Sequence, residues 1–313
     1  MPESSPRLTF DPTWAPPGAD AAERVAPPAS NRPQLHRSQP ARDVPYLPTE
    51  EPVVAAMLRL ANVTEKDVVY DLGCGDGRIV IAAARRGATA VGVDIDLHRI
   101  HECYENAAKA CVRHKVRFLR QSFFDTDLRE ATVVMLYLLS EVNVRLRPKL
   151  LWELRPGARL VINHFDIGDW KPDAKVHAHH RELSLFIIPA WVEGVWKCFV
   201  NDGAGGRRRM TLRLHRRYQQ VWGTATVGRR EVPLSEVTLS GDRLSFRVFH
   251  PTWAKPATRY TCRVEGGVMR GTGWPAGDET AKSPWCAMRV SDPAASSTQA
   301  PKGPGLRRSA DLQ

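Results

Sequence analysis

At 313 residues, with 42% hydrophobic residues and a net charge of +11, the chain has room for one large and one smaller domain. No stretch reaches the ~18 consecutive apolar residues of a membrane span. The start, Met1-Pro2-Glu3-Ser4-Ser5-Pro6, has neither the basic nor the apolar part of a secretory leader. Six cysteines (74, 103, 111, 198, 262 and 286) lack C-x-x-C spacing, which argues against a disulfide frame or a zinc site and for reduced thiols in the cytoplasm.

Residues 1–43 are rich in Pro, Ala and Ser and short of apolar clusters, as are residues 291–313, so both are expected to be disordered tails. From 44 to 190 strands and helices alternate, the pattern of a parallel α/β sheet. Thr49 is the expected N-cap of a first helix, with Pro52 in its first turn and Val53, Val54, Met57, Leu58 and Ala61 on one face. Val68–Asp71 predicts strand one. A glycine turn follows, and a helix opens at Arg78. Strand two, 89–94, ends in Asp94 and leads to a helix over 97–111. Strands at 115–119 and 132–137, a helix at 142–154 and a strand at 159–163 come next. A hairpin of 175–179 with 183–188 makes seven strands.

From 191 to 290 the helical period disappears. Short alternating runs at 195–200, 210–214, 221–227, 244–248, 260–264 and 268–272 predict an antiparallel meander or small barrel. Alternation places Leu212 and Leu214 inside and Arg213 outside.

The turn Gly73-Cys74-Gly75-Asp76-Gly77 identifies the candidate site. Its glycines let the backbone approach a ligand closely, and the helix behind offers free N–H groups. A dinucleotide site wants G-x-G-x-x-G; here the third glycine comes one residue early. Asp71, just before the turn, would repel a pyrophosphate but suits the cationic amino acid end of S-adenosylmethionine (SAM). Asp94, at the tip of strand two, is placed for ribose hydroxyls. The series strand, Asp, glycine turn, helix, strand, Asp resembles the class I, seven-strand SAM-dependent methyltransferases.

Four segments sharpen the resemblance: Pro45-Tyr46-Leu47-Pro48-Thr49, Asp71-Leu72-Gly73-Cys74-Gly75-Asp76-Gly77-Arg78, Leu136-Tyr137-Leu138-Leu139, and the run from His164 to Asp173. Together they resemble a bacterial methyltransferase family similar to the mitochondrial protein-lysine methyltransferases that modify the c-subunit of ATP synthase. More distantly, Tyr46–Thr49 resembles the Tyr-Gly-Glu-Thr cofactor loop of the non-SET histone-lysine methyltransferases. The resemblance covers residues 44–190. It implies a Rossmann-like sheet, SAM as cofactor, and Tyr46, Thr49, Asp71, Asp94 and the whole turn, Gly73, Cys74, Gly75, Asp76 and Gly77, as cofactor-binding positions. Relatives usually have Gly-Asp after strand three, the acid contacting adenine. This chain has Gln121-Ser122 followed by Phe123, so Ser122 and Phe123 are the adenine candidates and a weaker contact is expected.

Tyr46 and Tyr137 are the catalytic candidates. For Tyr137 a buried strand-end tyrosine fits equally well. Asn143, His164, Asp166, Asp169 and Trp170 fall on C-terminal strand ends or the loops after them, where α/β sites occur. Tyr46, Phe124, Tyr137 and Trp170 can wall a channel that desolvates a lysine. His177, His179 and His180 have no Cys or Glu partner pattern, so no metal is expected.

Residues 181–290 carry 18 Lys and Arg against 9 Asp and Glu. A solvated surface accounts for such an excess. Arg207-Arg208-Arg209 lacks neighbouring aromatics in the sequence, so nucleic acid is not the expected partner. Three functions stay open: a protein-lysine methyltransferase, a small-molecule methyltransferase, or a catalytically weak SAM-binding module whose basic β unit holds an acidic partner. The acceptor, the number of methyl groups and the oligomeric state are not set by the sequence.

Overall fold

A computed structural model describes residues 47–201, 206–249 and 257–291. Tyr46 and the tails expected at 1–43 and beyond 291 lie outside the described residues. The first unit has strands β1 (Val68–Leu72), β2 (Thr89–Asp94), β3 (Val116–Arg120), β4 (Val133–Leu136), β5 (Arg159–Asn163), β6 (Ala174–Ala178) and β7 (Arg181–Ile187). They form one sheet in the order β3-β2-β1-β4-β5-β7-β6. The first five run parallel, and β7 is antiparallel to both β5 and β6. This is the seven-strand arrangement that the sequence led us to expect.

Helices α1 (Glu51–Leu60), α2 (Arg78–Arg85) and α3 (Leu97–Lys109) bring Met57, Val80, Ile100 and Cys103 onto one face of the sheet with Val69, Ala90, Met135 and Val161. Helix α4 (Ser140–Glu153) covers the other, where Leu146 and Leu150 meet Tyr70, Leu72, Val91, Leu136 and Leu160. Successive strand residues point to opposite faces, and both faces are covered. That is why the strands read as unbroken apolar runs.

Strands β8 (Gly194–Asn201), β9 (Arg207–Arg217), β10 (Gln220–Val227), β11 (Arg230–Ser240), β12 (Arg243–Phe249), β13 (Ala257–Glu265), β14 (Val268–Pro275) and β15 (Ser283–Ser291) close into an eight-strand barrel. Its interior is solid: Trp196, Met210, Leu212, Leu214, Phe246, Tyr260 and Trp285 fill it. Phe246 and Tyr260 stack with ring centroids 5.2 Å apart.

Several expectations need correction. Glu50, not Thr49, is the N-cap of α1, and it makes no side-chain cap bond; Thr49 is buried and its carbonyl accepts from Arg78. Strands β11 and β15 escape sequence reading. In β11 the alternation fails at Pro233 and at Glu236, which has φ 50° where the register slips between Ser235 and Thr238. His179, expected to end the strand 175–179, instead forms the β6–β7 turn with His180, both at positive φ.

Candidate functional site

The carboxyl ends of β1 and β2 meet at the glycine turn. Gly73 and Gly77 have φ of 85° and 81°, and a Cβ on Gly77 would lie 2.9 Å from Cys103 Sγ. A side chain there is excluded twice, by backbone strain and by contact with α3.

Three acids surround the turn with different roles. Asp71 is 3% exposed, and its carboxyl is pushed up to about 8 by burial first and then by Asp94 and Asp76. An ionised carboxylate in that position lacks solvation, so a bound cation relieves it. Asp94 accepts from Gly75 N at 3.0 Å and, on its other oxygen, from Asp96 N at 3.0 Å. Those bonds hold it across the turn at the tip of β2. Asp76 is held by Arg78, whose Nε and Nη2 donate to it at 2.5–3.1 Å while the third guanidinium nitrogen, Nη1, donates to Thr49 O. Asp76 thereby braces the turn against the segment before α1. Cys74 is turned inward, with its Sγ 3.9 Å from Cys103 Sγ.

Beyond β3, Ser122 opens a short turn. Its hydroxyl oxygen accepts from Phe124 N at 3.2 Å, and its carbonyl accepts from the Thr126 hydroxyl. Phe123 is half-buried and its ring packs 4.8 Å from that of Phe124, which is buried under Arg145.

The ends of β4 and β5 carry the second cluster. Leu136 pairs with Ile162, so the next residues, Tyr137 and Asn163, stand side by side. Tyr137 Oη and Asn163 Oδ1 are both buried without a hydrogen-bond partner. Buried polar atoms are rarely left so. The Tyr137 ring lies 5.9 Å from Phe165 and under the Arg181 guanidinium at 5.6 Å. Sequence reading missed Asn163; its signal was an amide closing the apolar strand Leu160-Val161-Ile162. Asn143 donates to Leu138 O and Asp166 O, which fixes the loop after β5 to α4. Asp166 in turn accepts from Ser140. His164 sits at φ 69° with its ring edge-on to Phe165, 5.1 Å away.

Asp169, a candidate substrate residue, and Trp170, a candidate channel wall, are engaged elsewhere. Asp169 accepts from Arg147 at 2.6 Å, from Tyr218 Oη at 2.7 Å and from Arg217. Trp170 is 2% exposed, stacks on Tyr218 at 13° and donates to Gln219 Oε1 at 2.8 Å. Both belong to the joint with the barrel's β9–β10 turn. Among the described residues no group of three or more His, Cys, Asp or Glu is arranged to hold a metal.

A model of the ANTKMT methyltransferase domain matches residues 71–174. A protein-lysine N-methyltransferase of Saccharolobus islandicus is 49% identical over 151 residues, covering 46% of this chain and 94% of that protein. The Xenopus laevis lysine N-methyltransferase of the ATP synthase c-subunit is 30% identical over 130 residues, 42% of this chain and 57% of that protein. A solved structure described as an RNA methyltransferase of Salinibacter ruber in complex with S-adenosyl-L-homocysteine is 47% identical, covering 47% of this chain and 96% of that one, with a TM-score of 0.46.

Proposed function

The chain belongs to the SAM-dependent methyltransferase family that includes the Saccharolobus protein-lysine methyltransferase, and we propose that it methylates the ε-amine of a lysine in a protein. The 49% identity across nearly the whole of that relative carries the reading. The site's own residues fit the cofactor: a carboxyl raised by burial and then by two neighbouring acids, and a glycine turn in which Gly77 has no room for a Cβ.

Bound SAM supplies a methyl group on a sulfonium, open to in-line displacement. Asp71 neutralises the cationic amino acid end, and Asp94, held by Gly75 and Asp96, takes the ribose hydroxyls. A lysine attacks only after losing a proton. Tyr137 Oη and Asn163 Oδ1, both buried and unpartnered, can each accept an N–H of the incoming amine and aim its lone pair. Burial beside Phe165 and the positive Arg181 guanidinium both disfavour the ammonium form. Tyr46 remains a candidate on the family resemblance alone.

The test is incubation of the full chain with labelled SAM and lysate, followed by separation into protein, RNA and small-molecule fractions. Methyl-lysine in the protein hydrolysate is the expected result. Label confined to RNA or to small molecules overturns the reading, and binding without any transfer leaves the SAM-holding module. Tyr137→Phe is expected to slow turnover while SAM affinity, read by calorimetry, stays unchanged.

A further inference from the structure

The barrel's outer wall is asymmetric in its ion pairing. On the wall of β11 to β13, Arg247 pairs with Glu236 at 2.6 Å, Arg259 pairs with the same Glu236, and Arg263 faces Asp242 at 3.7 Å. On the wall formed by β14, β15, β8 and β9, the outward cations Arg270, Lys197, Arg207, Arg209 and Arg213 are exposed. Among the described residues none of these five has a carboxylate partner. Glu231 on β11 accepts from Thr224 on β10.

Apolar side chains stand between those cations. Phe199 is 53% exposed, directly opposite Arg209 and beneath the Arg207 guanidinium at 5.5 Å. Met288 is 50% exposed opposite Lys197. Trp222 is 52% exposed opposite His215, their rings stacked at 24°. Cross-strand register thus interleaves aromatic and cationic side chains that are eight or more positions apart in the chain. The barrel interior is filled, so only its outside can bind.

We propose that this wall docks an acidic, partly apolar segment of a protein. The charge calls for an anionic partner. The protein acceptor proposed above favours a protein partner, and the wall's composition agrees: Arg, aromatic residues and Met are enriched at protein interfaces while Lys is depleted there, and this wall has four Arg to one Lys. Arg between aromatic rings also suits single-stranded nucleic acid, which poly(U) tests. The inference rests on the reading of a protein acceptor and deepens it, since the carrier of the target lysine is the segment such a wall would hold. Binding is therefore measured apart from methyl transfer, so that the two can fail separately.

The full chain would be titrated by fluorescence anisotropy into a labelled peptide of repeating Glu-Glu-Leu-Phe, into labelled poly(U), and against vesicles of phosphatidylserine and phosphatidylcholine. The peptide is expected to bind most tightly, and less tightly as salt rises. The double variant Arg209→Glu with Arg213→Glu should weaken it about tenfold or more. Phe199→Ala should weaken it less, with the salt dependence kept. Arg243→Glu, exposed on the opposite wall, should change nothing. Tighter binding to poly(U) or to the vesicles, binding by the double variant equal to the parent's, or no binding to any probe overturns the proposal. SAM affinity, unchanged in all three variants, confirms that the fold survives.

Discussion

The sheet and the barrel hold their buried titratable groups in opposite ways. The sheet's carboxyl edge keeps Asp71 buried with its carboxyl near 8, and leaves Tyr137 Oη and Asn163 Oδ1 unpartnered. The barrel interior is sealed by aromatic rings, and burial pushes the thiols of Cys198 and Cys262 up to about 12. Thiols held so firmly neutral are inert. The edge keeps an acid that titrates near neutral pH, while the barrel, where Trp285 Nε1 is also unpartnered, offers only inert buried thiols.

The contrast can be broken most forcefully inside the barrel. Phe246→Ala removes a fully buried ring that touches Tyr260 and Trp285, and should cost about 3–5 kcal/mol of stability in a denaturant melt. SAM affinity of the folded fraction should not move. At the sheet edge Asp94→Ala should act on the ligand, weakening SAM binding by about 1.5–3 kcal/mol, tenfold to a hundredfold. Calorimetry showing parental affinity would remove Asp94 from the site.

The raised carboxyl of Asp71 sharpens the same contrast through pH. The folded, ligand-free chain holds a proton there up to about 8, whereas an unfolded chain releases it at 3.8. Stability attributable to this group is therefore fully present below 3.8 and falls as pH rises to about 8, by about 1.4 kcal/mol per unit at most. SAM binding near neutral pH should expel that proton. Calorimetry in buffers of different ionisation heat should read close to one proton released, and none for Asp71→Asn.

The joint between the units gives a smaller effect. Gln219→Ala strips the buried Trp170 Nε1 of its acceptor and should cost about 1–2 kcal/mol in urea unfolding. An unchanged midpoint would mean that the stack on Tyr218 alone holds the loop. The smallest effect expected is at Ser122. An Asp at this position can still accept from Phe124 N and adds the carboxylate that relatives place beside adenine, so Ser122→Asp should tighten SAM a few-fold. Looser binding would put the adenine contact on Phe123.

Much of the sheet and the cofactor turn was legible in the chain itself. The acids and glycines are contiguous or end a strand, and local backbone chemistry sets both: a glycine with φ above 80° and an acid closing an apolar strand read the same before folding as after. The barrel's inside was legible too, from Leu212 and Leu214 alternating with Arg213. Two of its eight strands, β11 and β15, were not, and β11 hides behind a proline and a register slip.

What only the tertiary structure decided is which side chains share a neighbour. Asp169 and Trp170 read as substrate residues because they follow β5, yet the β9–β10 turn, almost fifty positions on, claims both. Asn163 read as the end of a strand until pairing set it beside Tyr137. Arg207-Arg208-Arg209 had no aromatic within reach in sequence, and Phe199 reaches it across the sheet. Periodicity reports which face a residue takes, a property of its own strand; register between strands is set by closure of the whole sheet and barrel, which no local pattern encodes.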